Sequence, residues 1–450
     1  MEEQIQENKM GYLPIPKLLV NMSLPIIISM IIQALYNVVD SIFVSKVSED
    51  AFTAVSMAFP IQTMMIAVAT GTGVGINAIL SKSLGEKNQH AANKTANTGI
   101  LLALCSMLVF MLLGFFGTRL FFSVQTKDET IIQYGVQYLS IITIFSLGIF
   151  GQITLERLLQ ATGKSFYTMI TQGTGAIINL ILDPILIFGL AGAPKLGVAG
   201  AAIATVCGQI AAFVIALVFN LKLNKEIQLN VKEICKPEGW IIKKIYMIGI
   251  PSILMQSIGS LMNFCMNKIL VEFTSTAVAV FGAYYKLQSF VFMPVMGLNN
   301  GMVPIISYNY GAKKKDRIMQ TLKISVITGV CIMLAGFFAL QFIPGTLLKL
   351  FSASDAMLAM GEPALRIMSI SYIFAGFCIV CSSYFQALGY SIYSLYVSVA
   401  RQLFVLIPVA YLFSLTGVLN LVWLAFPIAE IASVTFSMLF LRKTMKKLVF

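Results

Sequence analysis

The sequence predicts an all-α polytopic membrane protein with twelve transmembrane helices in two six-helix bundles. Its 450 residues are 58% hydrophobic and only 11% charged, and their mean hydropathy is +0.86, which excludes a soluble globule of ordinary composition. Apolar runs recur at about the 20 residues that a helix needs to cross the hydrocarbon, and they lack the short alternating strands of a membrane β-barrel. A repeat between the two halves of the chain predicts the two bundles.

The predicted spans follow a polar N-terminal segment, residues 1–17. The apolar run after this segment is too long to be a signal peptide and has no cleavage site of small residues, so the first helix is expected to stay. The twelve spans are expected at 18–44, 53–82, 96–119, 133–161, 165–190, 196–221, 241–271, 279–308, 320–345, 364–388, 391–414 and 418–441.

Basic residues are concentrated in alternate loops of the twelve-span topology. On one side lie 22 lysines and arginines and on the other six, while Lys268, Lys286 and Arg401 fall inside spans. By the positive-inside rule the 22-residue side is cytoplasmic, which places both termini inside a multi-pass protein of the cell membrane. This distribution accounts for the net charge of +12 without a nucleic-acid partner.

The longest polar stretch, residues 222–240, predicts a cytoplasmic linker between an N-terminal lobe (18–221) and a C-terminal lobe (241–441), with a basic tail at 442–450. An offset of 226 residues aligns many Gly, Pro and polar positions, including Gln160-Ala161-Thr162-Gly163 with Gln386-Ala387-Leu388-Gly389. Because each half has six spans, the repeats are parallel and related by an axis along the membrane normal. Two such bundles meeting at a seam satisfy the mechanical requirement for alternating access.

The first predicted span carries a dense run of polar side chains near its outer end. A carboxylate there costs about 2.5–3.5 kcal/mol on insertion scales, so Asp40 is expected to face protein or water and to have a function. Helical spacing puts Tyr36 and Asn37 on the same face as Asp40. Asp40 and Tyr36 are candidate cation-coupling residues, and Gln33 and Asn37 are candidate cavity residues.

The fifth span contains Asn179-Leu180-Ile181-Leu182-Asp183-Pro184, which places an amide and a carboxylate one turn apart. Pro184 cannot bond the carbonyl four residues earlier, so a kink is expected. The sixth span adds Thr205 and Gln209, also one turn apart, of which Gln209 is a candidate cavity residue.

Asp40 and Asp183 fall at similar depth in the outer half of the membrane and are expected to lie close together. Two carboxylates with an amide and a hydroxyl suit a proton or Na⁺, because hard cations take oxygen ligands and close carboxylates share a proton. The alternative is a purely structural role, in which Asp183 pins the kink and Asp40 is interfacial.

The repeat fails at the acidic residues, since Asp40, Asn179 and Asp183 align with Met266, Val405 and Val409. The coupling chemistry is therefore expected in one half only.

In the second half, Glu430 is either a coupling or substrate site or half of a structural ion pair with Lys286 or Arg401. Aligned polar residues, Gln62 with Gln288 and Asn37 with Asn263, are further candidate cavity residues. Glu156 and Arg157 are expected to form a local pair.

Other motifs indicate no cofactor. Cys378 and Cys381 have CxxC spacing without a second pair or a nearby His, so a metal site is not expected there. Gly71, Gly73 and Gly75 lack the Lys-Ser/Thr of a P-loop and fit close helix packing better. With no ATP site, transport is expected to use an ion gradient.

Together these motifs resemble the multidrug and toxic compound extrusion (MATE) family. The resemblance rests on Ser23-Leu24-Pro25, Leu84-Gly85, Gln160-Ala161-Thr162-Gly163, Asn179-Leu180-Ile181-Leu182-Asp183-Pro184 and Gly197-Val198-Ala199-Gly200-Ala201-Ala202, and it is strongest to DinF and MepA-like members. It implies a V-shaped transporter that exports amphipathic, often cationic compounds in exchange for H⁺ or Na⁺. It also implies a cation site, including the candidate Na⁺ ligands, at Asp40, Asn179, Asp183 and Thr205, with Tyr36 alongside. NorM-type relatives have acidic ligands inside the seventh and tenth helices, which this chain lacks.

The sequence therefore predicts a cation-coupled multidrug antiporter and not an enzyme. It is expected to act as a monomer, with H⁺ or Na⁺ as the coupling ion, membrane lipids around it, and Pro25 and Pro184 as hinges. The alternative within transport is a flippase for a lipid-linked cell-envelope precursor, which needs more cavity cations than Lys268, Lys286 and Arg401 supply. No paired nucleophile and base indicates an intramembrane enzyme, and saturable counterflow would argue against a channel.

Overall fold

The computed structural model of the protein describes residues 8–351 and 353–448, which fold into two bundles of long helices. The N-terminal lobe contains α1 (Ile15–Ser45), α2 (Glu49–Gly85), α3 (Gln89–Phe116), α4 (Glu129–Ile144 and Leu147–Ala161), α5 (Ser165–Phe188) and α6 (Val198–Leu223). The C-terminal lobe contains α7 (Gly239–Val271), α8 (Ser275–Gly311), α9 (Lys315–Phe342), α10 (Asp355–Ser369 and Tyr372–Ala387), α11 (Ser391–Ser414) and α12 (Leu419–Lys447).

Ten of these helices are long and apolar enough to cross a membrane, and α4 and α10 bring the number to twelve if each bent pair is one span. The sequence predicts one span at 133–161 and one at 364–388, and the structure adds a bend of 42° within α4 and of 49° within α10. A buried serine lies at each break, and the hydroxyl of Ser371 donates to the carbonyl of Met368 at 2.7 Å. The Ser371 hydroxyl thus competes with the helical ladder at the break in α10. At the break in α4, the Ser146 hydroxyl instead bonds the carbonyl of Met107 on α3 at 3.5 Å, and Gly148 follows two residues later.

The repeat extends to the local structure of the turns. Ser48 and Thr274, which are 226 residues apart, cap α2 and α8 by accepting from the backbone N–H of Ala51 and Ala277. Lys87 and Lys313, at the same offset, both adopt a φ of 56°. Short helices, Thr118–Gln125 and Pro344–Lys349, follow the third helix of each lobe. The predicted fold of two similar lobes is thus confirmed.

The lobes meet through α1, α2, α7 and α8, where small residues permit close contact. An added Cβ at Gly85 would collide with the carbonyl oxygen of Tyr308, and one at Gly311 with that of Lys82. The hydroxyl of Ser23 on α1 donates to the carbonyl of Leu298 on α8 at 3.2 Å. The preference for packing over a phosphate loop at Gly71 and Gly75 is also confirmed, because both lie against α7.

The N-terminal segment fastens the two lobes together at the end where the chain begins. Asn8 Nδ2 donates to the carbonyl of Thr162 in the first lobe at 3.0 Å. Arg317 of the second lobe donates from Nη2 to the carbonyls of Met10, at 3.1 Å, and Leu13, at 2.7 Å. The Met10 side chain is fully buried, so this segment is a packed bridge between the lobes.

The stretch between α6 and α7 is held against the first lobe. Asn97 donates from Nδ2 to the carbonyl of Gln228 at 2.9 Å, and its Oδ1 accepts from the N–H of Asn230 at 2.9 Å. Lys164 forms an ion pair with Glu226, and Lys94 forms one with Glu233. This fastening of the connection was not visible in the sequence.

Candidate functional site

The structure brings the four oxygen-bearing side chains predicted for cation coupling together inside the first lobe. Asp40 comes from α1, Asn179 and Asp183 from α5, and Thr205 from α6. Extensive packing of α5 on both α1 and α6 positions them. Asp183 is completely buried and Asn179 is 3% exposed, whereas Asp40 is partly accessible. The site therefore has an inner wall on α5 and an accessible wall on α1.

Asn179 connects α5 to α6. With its amide oriented so that donors meet acceptors, Nδ2 donates to Asp183 Oδ2 at 3.3 Å. Its Oδ1 then accepts from the backbone N–H of Thr205 at 3.1 Å and from the Thr205 hydroxyl at 3.3 Å. In this orientation the amide holds the Asp183 carboxyl from one side and links it to Thr205.

The carboxyl groups of Asp40 and Asp183 are in direct contact. Each also has one oxygen, Oδ1, that is buried without a hydrogen-bond partner in the described part of the chain. Two facing carboxylates repel each other unless a proton or a cation lies between them. The unpartnered oxygens, with the Thr205 hydroxyl nearby, are a donor set that fits a shared proton or a small hard cation such as Na⁺.

Two tyrosines complete the polar surroundings of the acids. Tyr36 lies beside Asp40 and within hydrogen-bonding reach of Gln33. Tyr138, from the first segment of α4, is 3% exposed and close to both acids, and its hydroxyl accepts from Gln62 Nε2 at 2.9 Å. Tyr138 was not predicted from the sequence, because nothing in residues 129–144 indicates the direction that this segment of the bent α4 takes.

The remaining predicted residues of the first lobe surround this cluster less closely. Gln33 and Asn37 are exposed on α1. Gln209 has a buried Oε1 without a partner among the described residues, and it lies next to Gly148 of α4. Pro25 and Pro184 both lie inside uninterrupted helices, and their role as hinges stays a prediction.

The second lobe contains no counterpart of the acidic pair in its described residues. Asn263 donates to the carbonyl of Gly259 on its own helix at 3.1 Å, and Gln288 is half-buried. Glu430 pairs with Arg401, at 3.3 Å between Oε2 and Nη1. Lys286, the other partner considered, lies over the ring of Phe351 at 5.9 Å.

The predicted local pair of Glu156 and Arg157 is wrong. Glu156 accepts from Gln152 at 3.0 Å, from Thr171 at 2.8 Å and from Gln172 at 2.7 Å. Arg157 instead donates from Nη1 to Gln160 and to Asn300 of the second lobe, both at 2.9 Å. Adjacent helical residues point to different faces, so the two charges serve different neighbours.

Comparison with known proteins agrees with this architecture. The MatE family model matches the chain twice, over residues 25–185 and 251–412. The multidrug export protein MepA of Staphylococcus haemolyticus is 27% identical over 409 residues, which cover 90% of this chain and 89% of that protein. A FAD transporter of Shewanella oneidensis is 27% identical over 420 residues, covering 93% and 92%.

A solved structure has the same fold. It is an outward-facing conformation of a multidrug resistance MATE family transporter, which superposes with a TM-score of 0.92 at 24% identity and covers 99% of both chains. The two matches to the family model together span well over half of the sequence. This multi-pass membrane protein therefore belongs to the MATE family of multidrug efflux transporters and is not an enzyme.

Proposed function

We propose that the protein is an antiporter of the cell membrane that exports amphipathic, often cationic compounds in exchange for H⁺ or Na⁺. The observation that carries this proposal is the contact between the Asp40 and Asp183 carboxyl groups, each with a buried unpartnered oxygen. Such a pair requires a positive charge to be stable inside a membrane protein. The MepA relatives, named as multidrug export proteins, support the substrate class.

The coupling acts through α1. This helix carries Asp40 near one end, and near the other it packs on α8 of the second lobe through Ser23 and Ile27. Binding of a cation draws Asp40 towards Asp183, and its release lets the two helices separate. Movement of α1 therefore changes the first-lobe cavity and the contact between the lobes together. By reciprocal linkage, a bound substrate must weaken cation binding to the same extent.

The lobes are closed towards the cytoplasm in this arrangement. We assign the end of the molecule bearing residues 8–13 to the cytoplasm by the positive-inside rule. The contacts from Asn8 to Thr162 and from Arg157 to Asn300 join the lobes at that end. The opposite end is the exit for substrate, and we assign Gln33, Asn37, Gln62 and Gln209, the cavity residues predicted from the sequence, to the substrate path in the first lobe. The monomer contains the whole path.

Transport assays in proteoliposomes test this proposal. Purified protein is reconstituted, and efflux of a fluorescent lipophilic cation is measured under a pH gradient alone and a Na⁺ gradient alone. We expect wild-type efflux to follow at least one gradient, and Asp40→Asn and Asp183→Asn to lose that dependence. Asp50→Asn, an exposed carboxylate of α2, is the matched control. Efflux by Asp40→Asn that follows the gradients like wild type would remove the basis for the coupling role.

A second candidate substrate class is an anionic dinucleotide, which is favoured by the similarity to a FAD transporter at the same level of identity. Proteoliposomes loaded with FAD test it directly in the same assay. The flippase alternative has less support, because Arg401 is paired with Glu430 and Lys286 lies over an aromatic ring. Few free cations then remain to hold the phosphates of a lipid precursor.

A further inference from the structure

The second lobe contains an ion pair with a buried carboxylate and a partly exposed arginine, which the proposed transport cycle does not use. Glu430 on α12 is 3% exposed, and its Oε2 lies 3.3 Å from Nη1 of Arg401 on α11. Arg401 belongs to a π-helical segment, Ala400–Leu406, within α11. Such wide turns are rare and are often found at functional sites.

The repeat shows which part of the first lobe this pair corresponds to. At the offset of 226 residues, Arg401 aligns with Gly175 and Glu430 with Ala204. Gly175 lies one turn before Asn179 on α5, and Ala204 directly precedes Thr205 on α6. The ion pair of the second lobe therefore occupies the same region between two helices as the cation site of the first lobe.

The surroundings of the pair differ from those of the cation site. Tyr284 and Cys378 are its neighbours, and large aromatic side chains fill the adjoining core. The Tyr284 ring packs against Phe426 at 5.9 Å, and Trp423 is fully buried. At the aligned positions the first lobe has Ala58, Gly200 and Gly197. The second lobe is thus densely packed where the first has small residues.

We infer that Arg401 is a tethered counter-cation, which takes in the second lobe the place that an exchangeable H⁺ or Na⁺ takes in the first. A guanidinium keeps its charge and cannot leave, so Glu430 stays neutralised through the whole cycle. Only the first lobe then responds to the coupling ion. This inference rests on the proposed cation coupling at Asp40 and Asp183, and the variants of those residues test that coupling separately.

The charge pair is tested by removing its members singly and together. Arg401→Met leaves the buried carboxylate of Glu430 unpaired, and we expect it to lower the initial efflux rate at least about tenfold. Glu430→Gln leaves the partly exposed Arg401 unpaired, and we expect a smaller loss. The double variant R401M/E430Q keeps similar side-chain volumes without either charge. It should recover to within about threefold of wild type, with an unchanged dependence on the pH and Na⁺ gradients. The exposed pair Arg119–Glu129 supplies the control R119M/E129Q, for which no change is expected.

The double variant decides between the tethered cation and a second coupling site. If its efflux responds to fewer gradients than wild type, or moves fewer ions per substrate, Glu430 exchanges ions and the inference is wrong. If the double variant folds correctly but its efflux rate does not recover, the inference is also wrong.

Thermal stability gives a readout that does not require transport. In Arg401→Met, Glu430 lacks its cation, so the melting temperature should rise with added Na⁺ or with falling pH more than in wild type. The double variant should lack this additional response. An Arg401→Met protein that responds to Na⁺ and pH like the double variant would contradict the tethered counter-cation.

Discussion

Gln62 on α2 donates from Nε2 to the hydroxyl of Tyr138 on α4 at 2.9 Å, and thereby holds a buried tyrosine beside the two acids of the first lobe. The bond links the α4 segment that bends away at residues 145–146 to a helix that contacts the second lobe. We expect Tyr138→Phe to keep the packing of the ring but to lose the hydroxyl. A typical hydrogen bond contributes about 0.5–1.5 kcal/mol, so the apparent cation affinity of transport should fall about three- to tenfold. Tyr134→Phe on the same segment is the control, and equal effects of the two variants would count against Tyr138.

Asn179→Ala removes a side chain that bonds Asp183 and Thr205 at once. The Asp183 carboxyl then loses a donor inside the protein, and a buried polar group without a partner costs about 1–3 kcal/mol. We expect a loss of ion-dependent efflux of at least about tenfold. Asn420→Ala, at an exposed amide of α12, should have little effect. Efflux is measured over a range of Na⁺ concentrations and pH values. A shift in these dependences indicates a weakened cation site, whereas a lower rate with unchanged dependences indicates a general loss of activity.

Pro184→Ala restores an N–H to α5 four residues before its end at Phe188. The regained hydrogen bond to the Leu180 carbonyl should raise thermal stability, since proline inside a helix costs about 3 kcal/mol. Efflux should become slower if the proline is a hinge, because a stiffer α5 resists the rearrangement. Pro60→Ala, within α2, provides the comparison. Higher stability with unchanged efflux would show that Pro184 is not a hinge.

Asn8→Ala weakens the bridge between the lobes at the end where the chain begins. The variant loses both the bond to Thr162 and the cap that Asn8 Oδ1 provides for Met10 N–H. We expect the lobes to separate at this end in a larger fraction of molecules. Spin labels at the exposed residues Lys225 and Lys446 should then report a longer distance by electron paramagnetic resonance. An unchanged distance distribution would mean that the bridge does not limit opening.

Glu233 gives a prediction for pH dependence outside the membrane. The hydrogen bond and charge of Lys94 hold the pKa of the Glu233 carboxyl below its usual value. A lowered pKa means that the pair stabilises the folded connection at neutral pH, and that this is lost as the pH falls through the lowered value. Fluorescence of Trp240, whose indole donates to Glu238 at 2.5 Å, should change over that acidic range. Glu233→Gln should show the acidic signal already at neutral pH.

Much of the site was accessible from the sequence. Helical spacing and depth in the membrane constrain where the side chains of long helices lie. The sequence alone could therefore predict the proximity of four residues, Asp40, Asn179, Asp183 and Thr205. Tyr138 could not be predicted, since its direction depends on a 42° bend of α4, and neither Ser146 nor Gly148 at that break indicates from the sequence how far the helix bends. The bond from Arg157 to Asn300 is also invisible in sequence, because it depends on how the lobes dock. For Glu430, the sequence left two possible ion-pair partners, Lys286 and Arg401. Only the three-dimensional structure could distinguish between them.

The fastening of the connection between α6 and α7 to the first lobe limits how the lobes move. Residues 226–236 are bound to the ends of α3 and α5 through Asn97, Lys94 and Lys164, and α7 begins at Gly239. Glu238, the residue before α7, also pairs with Lys94 at 3.6 Å, so the connection is anchored up to the start of the first helix of the second lobe. The connection is therefore a short pivot on one side of the interface between the lobes. The second lobe rotates about this pivot relative to the first.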